Sequence, residues 1–254
     1  MPLLPTSSCW LHAREASARS GRIPAPCRTT GDILEERPHR RAAADLIRQP
    51  ARREFVAGPA GRIECAVDGA QGDARGIALV AHPHPLFGGT LDNKVVQTLA
   101  RSLAELGYTA WRPNFRGVGA SEGRHDAGRG EVADLAAVLA HARERAEGGN
   151  AVVLAGFSFG AAMQTLLAQQ LLGEGRPATR MVLVGAAVNH FRLPPVPADT
   201  LLIHGERDET VPLAALLDWA RQYELPVIVM PGADHFFHGR LQLLRAIVQQ
   251  NWRT

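Results

Sequence analysis

The stretch AVVLAGFSFGAAMQTLLAQQLL, residues 151–172, decides the reading of this chain. Ala151 to Ala155 form a short apolar run of the kind that makes a buried strand, and Ala161 to Leu172 carry apolar residues at helical spacing. Between them lies Gly156-Phe157-Ser158-Phe159-Gly160, a G-x-S-x-G pentapeptide at a strand-to-helix turn. A turn of that kind lifts the serine hydroxyl above the end of a sheet. Its flanking positions are glycine because the strand and helix backbones approach too closely there for a Cβ, and Ala161 and Ala162 continue the close packing. The helix aims its positive end and free N–H groups at Ser158, where negative charge develops if the serine is a nucleophile.

Outward from this stretch, strand-like runs alternate with longer helical patterns from residue 53 onward. The expected strands are Phe55 to Ala57, Ile63 to Val67, Ile77 to Ala81, Thr109 to Arg112, Val152 to Ala155, Met181 to Gly185, Thr200 to Ile203 and Val227 to Met230. The expected helices are Asn93 to Leu106, Glu131 to Glu147, Phe159 to Leu172, Leu213 to Tyr223 and Arg240 to Asn251. Such alternation predicts an α/β domain: a mostly parallel, eight-stranded sheet with helices on both faces.

A serine nucleophile needs a base, and the base needs an orienting acid. Two clusters supply them at strand ends, where sites of open parallel sheets form. One is His204-Gly205-Glu206-Arg207-Asp208-Glu209-Thr210-Val211-Pro212, an acid-rich turn; the other is Pro231-Gly232-Ala233-Asp234-His235, the turn after VIVM. Asp208 is assigned as the acid, with Glu206 and Glu209 read as solvated loop charges. His235, at the loop apex, is assigned as the base; His238 leads into the last helix, and Asp234 is read as a turn former because adjacent side chains point apart. The loop Ala81-His82-Pro83-His84-Pro85-Leu86-Phe87-Gly88-Gly89 offers the second amide of an oxyanion hole, beside that of Phe159. Pro83 and Pro85 have no N–H, so His84 is the first choice and Leu86 the second. The His82/His84 spacing lacks a third convergent ligand, so neither metal nor organic cofactor is expected.

The segments HPHPLFGGTLDNKVV (82–96), NFRGVGASEG (114–123), GFSFG (156–160), HGERDETVP (204–212) and GADHFFHG (232–239) together resemble the small, lidless bacterial hydrolases of the α/β-hydrolase superfamily, close to the dienelactone-hydrolase-like enzymes. The resemblance spans residues 53–251. It implies the α/β-hydrolase fold, with Ser158, Asp208 and His235 as triad in that family's chain order, and an esterase-like activity. Dienelactone hydrolases proper use a cysteine nucleophile where this chain has Ser158, so their substrate is not carried over. In the 114–123 segment the glycine spacing is not that of a dinucleotide loop, and the segment reads as a structural turn in which Arg116 bonds nearby carbonyls or carboxylates.

Composition narrows the partners. The chain has 254 residues, 46% hydrophobic and 21% charged, an ordinary globular balance. Its net charge of +3 sits in residues 1–50, which hold eight Arg against five acids, so the folded part presents no basic surface for nucleic acid. Residues 1–52 are proline-broken and aperiodic and read as a disordered tail, with a short helix at 40–48, ahead of a catalytic domain at 53–254. Export is disfavoured by the uncharged, proline-broken start, and no apolar stretch is long enough to span a bilayer. Three cysteines, Cys9, Cys27 and Cys65, lie outside every motif. The expectation is a cytoplasmic serine hydrolase that cleaves a carboxylic ester or thioester of a small acyl substrate through an acyl-enzyme, without membrane partners. Its rivals are an aminopeptidase-like amide hydrolase and a non-catalytic ligand-binding member of the fold. Only Ala187 to Ala198 separate the sixth strand from the seventh, too few residues for a cap domain. The expected site is an open cleft, walled by Leu86, Phe87, Phe236 and Phe237, with Trp111 and Phe157 as further candidates.

Overall fold

The computed structural model describes residues 50–146 and 148–252. The tail and its short helix at 40–48 lie outside the described residues, up to residue 49. Eight strands are present: β1 Arg52–Gly58, β2 Gly61–Asp68, β3 Gly76–Ala81, β4 Tyr108–Pro113, β5 Ala151–Phe157, β6 Arg180–Val184, β7 Leu201–Gly205 and β8 Val227–Met230. They form one sheet in the order β1-β2-β4-β3-β5-β6-β7-β8. β2 pairs antiparallel with β1 and with β4, and every pairing from β4 to β8 is parallel. The central strands β3 and β5 are buried almost throughout, as expected of strands covered on both faces.

Five helices cover the sheet: α1 Lys94–Glu105, α2 Arg129–Glu144, α3 Phe159–Gly173, α4 Leu213–Gln222 and α5 Leu241–Gln250. Val95, Leu99 and Leu103 of α1 and Leu244 and Val248 of α5 enclose one core with one face of the sheet. Leu135 and Leu139 of α2, Met163 and Leu167 of α3, and Leu216 and Trp219 of α4 enclose a second core on the other. Helix starts follow their local chemistry. Asn93 caps α1 by accepting from the Val95 and Val96 amides at 2.9 and 3.4 Å, and Glu131 reaches back from the first turn of α2 to the Gly128 amide at 2.9 Å.

Among the element ends that differ from those expected, those of β1 and α2 have clear local causes. The first strand begins at Arg52, so the folded part starts before residue 53. An edge strand needs no apolar run: Arg52 pairs with Glu54, and Arg53 with Glu64 and Asp92, while the backbone pairs with β2 in the register Arg52↔Val67. Helix α2 starts two residues early, drawn out by the Glu131 cap, and ends at Glu144, before Glu147, which lies outside the described residues.

All the parallel strands end at one edge, in register: Ala81 lies beside Gly156, Phe157 beside Val184, and Gly205 beside Met230. The loops after β3, β5, β7 and β8 therefore meet there. Among the described residues no helix is long and apolar enough to cross a membrane.

Candidate active site

Ser158 occupies the turn between β5 and α3 with φ 56° and ψ −117°, a conformation that costs a non-glycine residue on the order of 1–3 kcal/mol. Neighbours hold it there. The Ser158 amide donates to the Val184 carbonyl at 2.9 Å, and its own carbonyl accepts from Ala162 at 3.2 Å. A Cβ on Gly156 would lie 2.6 Å from the Ala161 nitrogen, and one on Gly160 would lie 2.3 Å from the Ala81 carbonyl oxygen. Both glycines are thus required by backbone contact. The Gln164 side chain, fully buried on α3, donates to the carbonyls of Leu79 and Ala155 at 2.8 and 3.0 Å and ties the helix to β3 and β5 below the turn.

Ser158 Oγ lies 3.0 Å from His235 Nε2, and His235 Nδ1 lies 2.6 Å from Asp208 Oδ2. All three residues are buried. A carboxylate only accepts, so the Nδ1 facing Asp208 carries the ring proton and Nε2 is left to accept from the serine hydroxyl. Asp208 is fixed through its other oxygen, which accepts from the Thr210 and Val211 amides at 2.9 and 2.7 Å. His204, directly below, has Nε2 2.9 Å from the Val211 carbonyl and 3.5 Å from Asp208 Oδ2; burial holds its pKa below the ordinary histidine value, so it is a neutral prop. The His235 ring lies against Phe157, centroids 4.9 Å apart, and a Cβ on Gly185 would lie 3.3 Å from its Cε1.

The other charged residues of these two loops fall into place around them. Glu209 is exposed, as expected, but Glu206 is not simply solvated: it accepts from the Gly232 amide at 2.7 Å and ties the acid turn to the histidine loop. The Arg207 amide adds a bond to the Ala233 carbonyl at 2.9 Å. His238 is exposed and lies 2.6 Å from Asp234, whose carboxyl it holds below its ordinary pKa. Arg116 is clamped on Asp134 by two hydrogen bonds of 2.7 and 2.8 Å, a structural contact that raises the guanidinium pKa further.

The loop after β3 has its own supports. His82 is fully buried, its Nδ1 2.6 Å from the Pro83 carbonyl and its Nε2 accepting from the Phe115 amide at 3.0 Å; burial pushes its pKa down to about 4. His84 Nδ1 accepts from the Leu86 amide at 3.2 Å, which engages that N–H. Among the described residues the amides of His84 and Phe159 have no backbone or side-chain acceptor. Neither imidazole points to a shared centre, and among the described residues no group of three His, Cys, Asp or Glu side chains is arranged to hold a metal.

The apolar wall needs correction. Leu86, Phe87 and Phe236 are exposed, 68%, 85% and 46% respectively, and rim the site. Phe237 is fully buried in the core under α5, because the turn that closes with Phe237 N–H on the Asp234 carbonyl points successive side chains opposite ways. Phe157 and Trp111 are likewise buried: the first is the floor beneath His235, the second packs on His141. A separate cavity of about 370 Å³, lined by Ile77, Arg143, Val152 and Arg176, lies at the opposite ends of β3 and β5. The sequence reading missed Gln164, Gly185 and Glu131 with its neighbour His125; only Glu131, three residues past Gly128 at a helix start, had a local signal.

A family model described as the alpha/beta hydrolase fold matches residues 86–199. An uncharacterized protein of Rickettsia prowazekii is 34% identical over 201 residues, covering 74% of this chain and 83% of its own length. The structure of an alpha-beta serine hydrolase homologue from Coxiella burnetii is 38% identical, with TM-score 0.74, and covers 81% of this chain and 99% of that one. XC6422 of Xanthomonas campestris, described as an a/b serine hydrolase without lid, is 34% identical with TM-score 0.73, covering 82% of this chain and 95% of that one. Sequence likeness at this level, over about four fifths of the chain in the two solved structures, makes the chain a member of the α/β-hydrolase family, of its lidless, serine hydrolase-like kind.

Proposed function

We propose that the protein hydrolyses a carboxylic ester or thioester of a small acyl substrate through an acyl-enzyme. The observation that carries this reading is the hydrogen-bond chain from Ser158 Oγ through His235 to Asp208, at 3.0 and 2.6 Å, with two unengaged amides beside it. Ser158 Oγ attacks the substrate carbonyl carbon as His235 Nε2 takes its proton. The carbonyl π electrons move to oxygen, and the resulting oxyanion is held by the N–H groups of Phe159 and His84. His84 rather than Leu86 is the second donor, because the Leu86 amide is spent on the His84 ring. Collapse breaks the bond to the alcohol or thiol, which leaves with the proton from His235. Water then enters, gives its proton to His235 and attacks the acyl carbon; collapse of this second tetrahedral state breaks the acyl–Oγ bond, His235 returns the proton to Ser158 Oγ, and the carboxylic acid leaves. Asp208 holds the imidazole in the required tautomer and stabilises the imidazolium.

The test is a panel of p-nitrophenyl esters and acyl thioesters with wild type and Ser158→Ala. The substitution should lower turnover by roughly four or more orders of magnitude with the melting temperature retained. Near-normal turnover in that variant sinks the assignment. Asp208→Asn should cost less than loss of Ser158 or His235, because it orients and does not react. If Glu206→Gln or Glu209→Gln damaged turnover more than Asp208→Asn, the acid would be misassigned.

A further inference from the structure

The loop 124–128 ahead of α2 is not part of the chain Ser158–His235–Asp208, yet it is tightly built. Ala127 has φ 49° and Gly128 φ 98°, so an alanine is held in the left-handed region at a real cost. Glu131, with no solvent exposure, holds it: one carboxylate oxygen accepts from the Gly128 amide at 2.9 Å, the other from the Asp126 amide at 2.8 Å. That oxygen also lies 2.8 Å from His125 Nδ1, within ion-pair range but outside hydrogen-bond geometry. Two backbone donors already suffice to cap a helix, so the imidazole is an addition whose purpose is sought on its other side. There the His125 ring meets His84, centroids 4.9 Å apart, and Phe159, 5.7 Å apart, and those two rings lie 4.9 Å from each other. His84 and Phe159 are the two residues whose amides hold the oxyanion in the proposed reaction.

We propose that the Glu131–His125 pair is a positioning device for the oxyanion hole: the buried carboxylate fixes the His125 ring, which wedges against the side chains of His84 and Phe159 and sets the spacing of their amides. The inference rests on the serine hydrolase reading of the site. His84 lies in the loop after β3 and Phe159 opens α3 after β5, and no backbone hydrogen bond between them is present among the described residues. Their relative placement is set by the pairing of β3 with β5, by the backbone contact at Gly160 and by side-chain packing. Gly160 sets how closely the start of α3 approaches the loop after β3, and the three-ring contact sets the lateral position. Other charged groups near this pair are Arg116, held on Asp134, and Asp126, held on Arg129; His190 lies within electrostatic reach of His84. None of them replaces the carboxylate on His125.

The experiment uses the full chain, p-nitrophenyl butyrate as substrate, a trifluoromethyl ketone that forms a tetrahedral adduct with the serine, and fluorophosphonate titration to count active sites. His125→Ala should lower kcat per titrated site roughly 10- to 100-fold with KM within about twofold, because the wedge acts on a contact made only in the tetrahedral state. The inhibition constant of the ketone should rise by the same factor. His125→Phe, which keeps a planar face toward His84 and Phe159, should recover most of kcat, and Glu131→Gln should fall between. His125→Leu fills the volume without a planar face and should show the same split as Ala, so it carries the test if Ala melts the domain. Variants His125→Ala and His125→Leu with kcat per site near that of wild type, or with the loss confined to KM or to the titratable fraction, overturn the proposal and leave the serine hydrolase reading standing. A wild type inert both to esters and thioesters and to the ketone overturns both.

Discussion

His82 has both ring nitrogens committed and no contact with water, so it folds as the neutral imidazole and stays so down to a pKa of about 4. In the unfolded chain the same ring takes a proton near its ordinary value of about 6.5. Between these two values the unfolded state binds more protons, and stability falls as pH falls: the contribution is complete above the unfolded pKa and is lost progressively toward pH 4. The full loss is on the order of 3 kcal/mol, and His204, lowered in the same direction by burial, adds to it with the same sign. His82→Gln, which does not titrate, should be less stable than wild type at pH 7.5, with the gap closing as the pH is lowered to 4.5. Urea unfolding of both proteins across that range checks this, and a gap independent of pH would show that His82 is not buried neutral. That Ser158, Asp208 and His235 meet was legible because the chemistry proposed for them demands particular residue types at particular strand ends. The contact of His125 with His84 and Phe159 was not, because it arises only where rings from two loops and the start of α3 meet, and no spacing in the chain records that meeting.

The turn from β5 into α3 shows how an element carries a site. Its strand is apolar because it lies between two covered faces, and its glycines sit where the backbones of α3, β5 and the loop after β3 touch. Gly160→Ala would bring a methyl group within 2.3 Å of the Ala81 carbonyl and 2.5 Å of the His82 carbonyl, and backbone has no rotamer to yield. Relief requires α3 and the His82 loop to separate, which moves the Phe159 and His84 amides apart. The substitution should cost about 2–3 kcal/mol, or roughly 5–10 °C in melting temperature for a domain of this size, and should lower kcat more than it raises KM. A thermal melt with steady-state kinetics decides it; an unchanged melting temperature would mean that the contact relaxes without strain. The strands and helices were readable from apolar periodicity wherever an element buries one face or both. The start of β1 was not, since Arg52, Arg53 and Glu54 satisfy an edge strand through ion pairs and ladder bonds. Gly185 was equally silent: its value lies in the 3.3 Å left for the His235 ring, a partner fifty residues away in no motif with it.

At the scale of the whole molecule, the sheet delivers four loops to one edge, and among the described residues no helix or strand is inserted between β6 and β7 to cover them. The segment from Gly185 to Thr200 that joins β6 to β7 contains no helix or strand, and Pro194, Pro195 and Pro197 keep it from adding either. It is also tied down. Leu193 is buried in the core against α3 and α4, its carbonyl accepts from the Trp219 indole at 3.4 Å, and the Phe191 ring packs on Phe159 with centroids 5.5 Å apart. A segment anchored in this way borders the site, and swinging over it would require breaking these contacts. The apolar rim formed by Leu86, Phe87 and Phe236 already faces solvent, so an oil–water interface finds that surface exposed, with no cover among the described residues for it to open. Rates on a short-chain ester should therefore rise smoothly with concentration and saturate without a step at the solubility limit, and activity should favour short acyl chains over long emulsified ones. Adsorption of the rim to droplets would remove enzyme from the aqueous substrate and lower the rate, the opposite of activation. Initial rates measured on both sides of the solubility limit separate the cases: a sharp rise above the limit would require a moving cover, and the segment Gly185 to Thr200 would be the place to look for it.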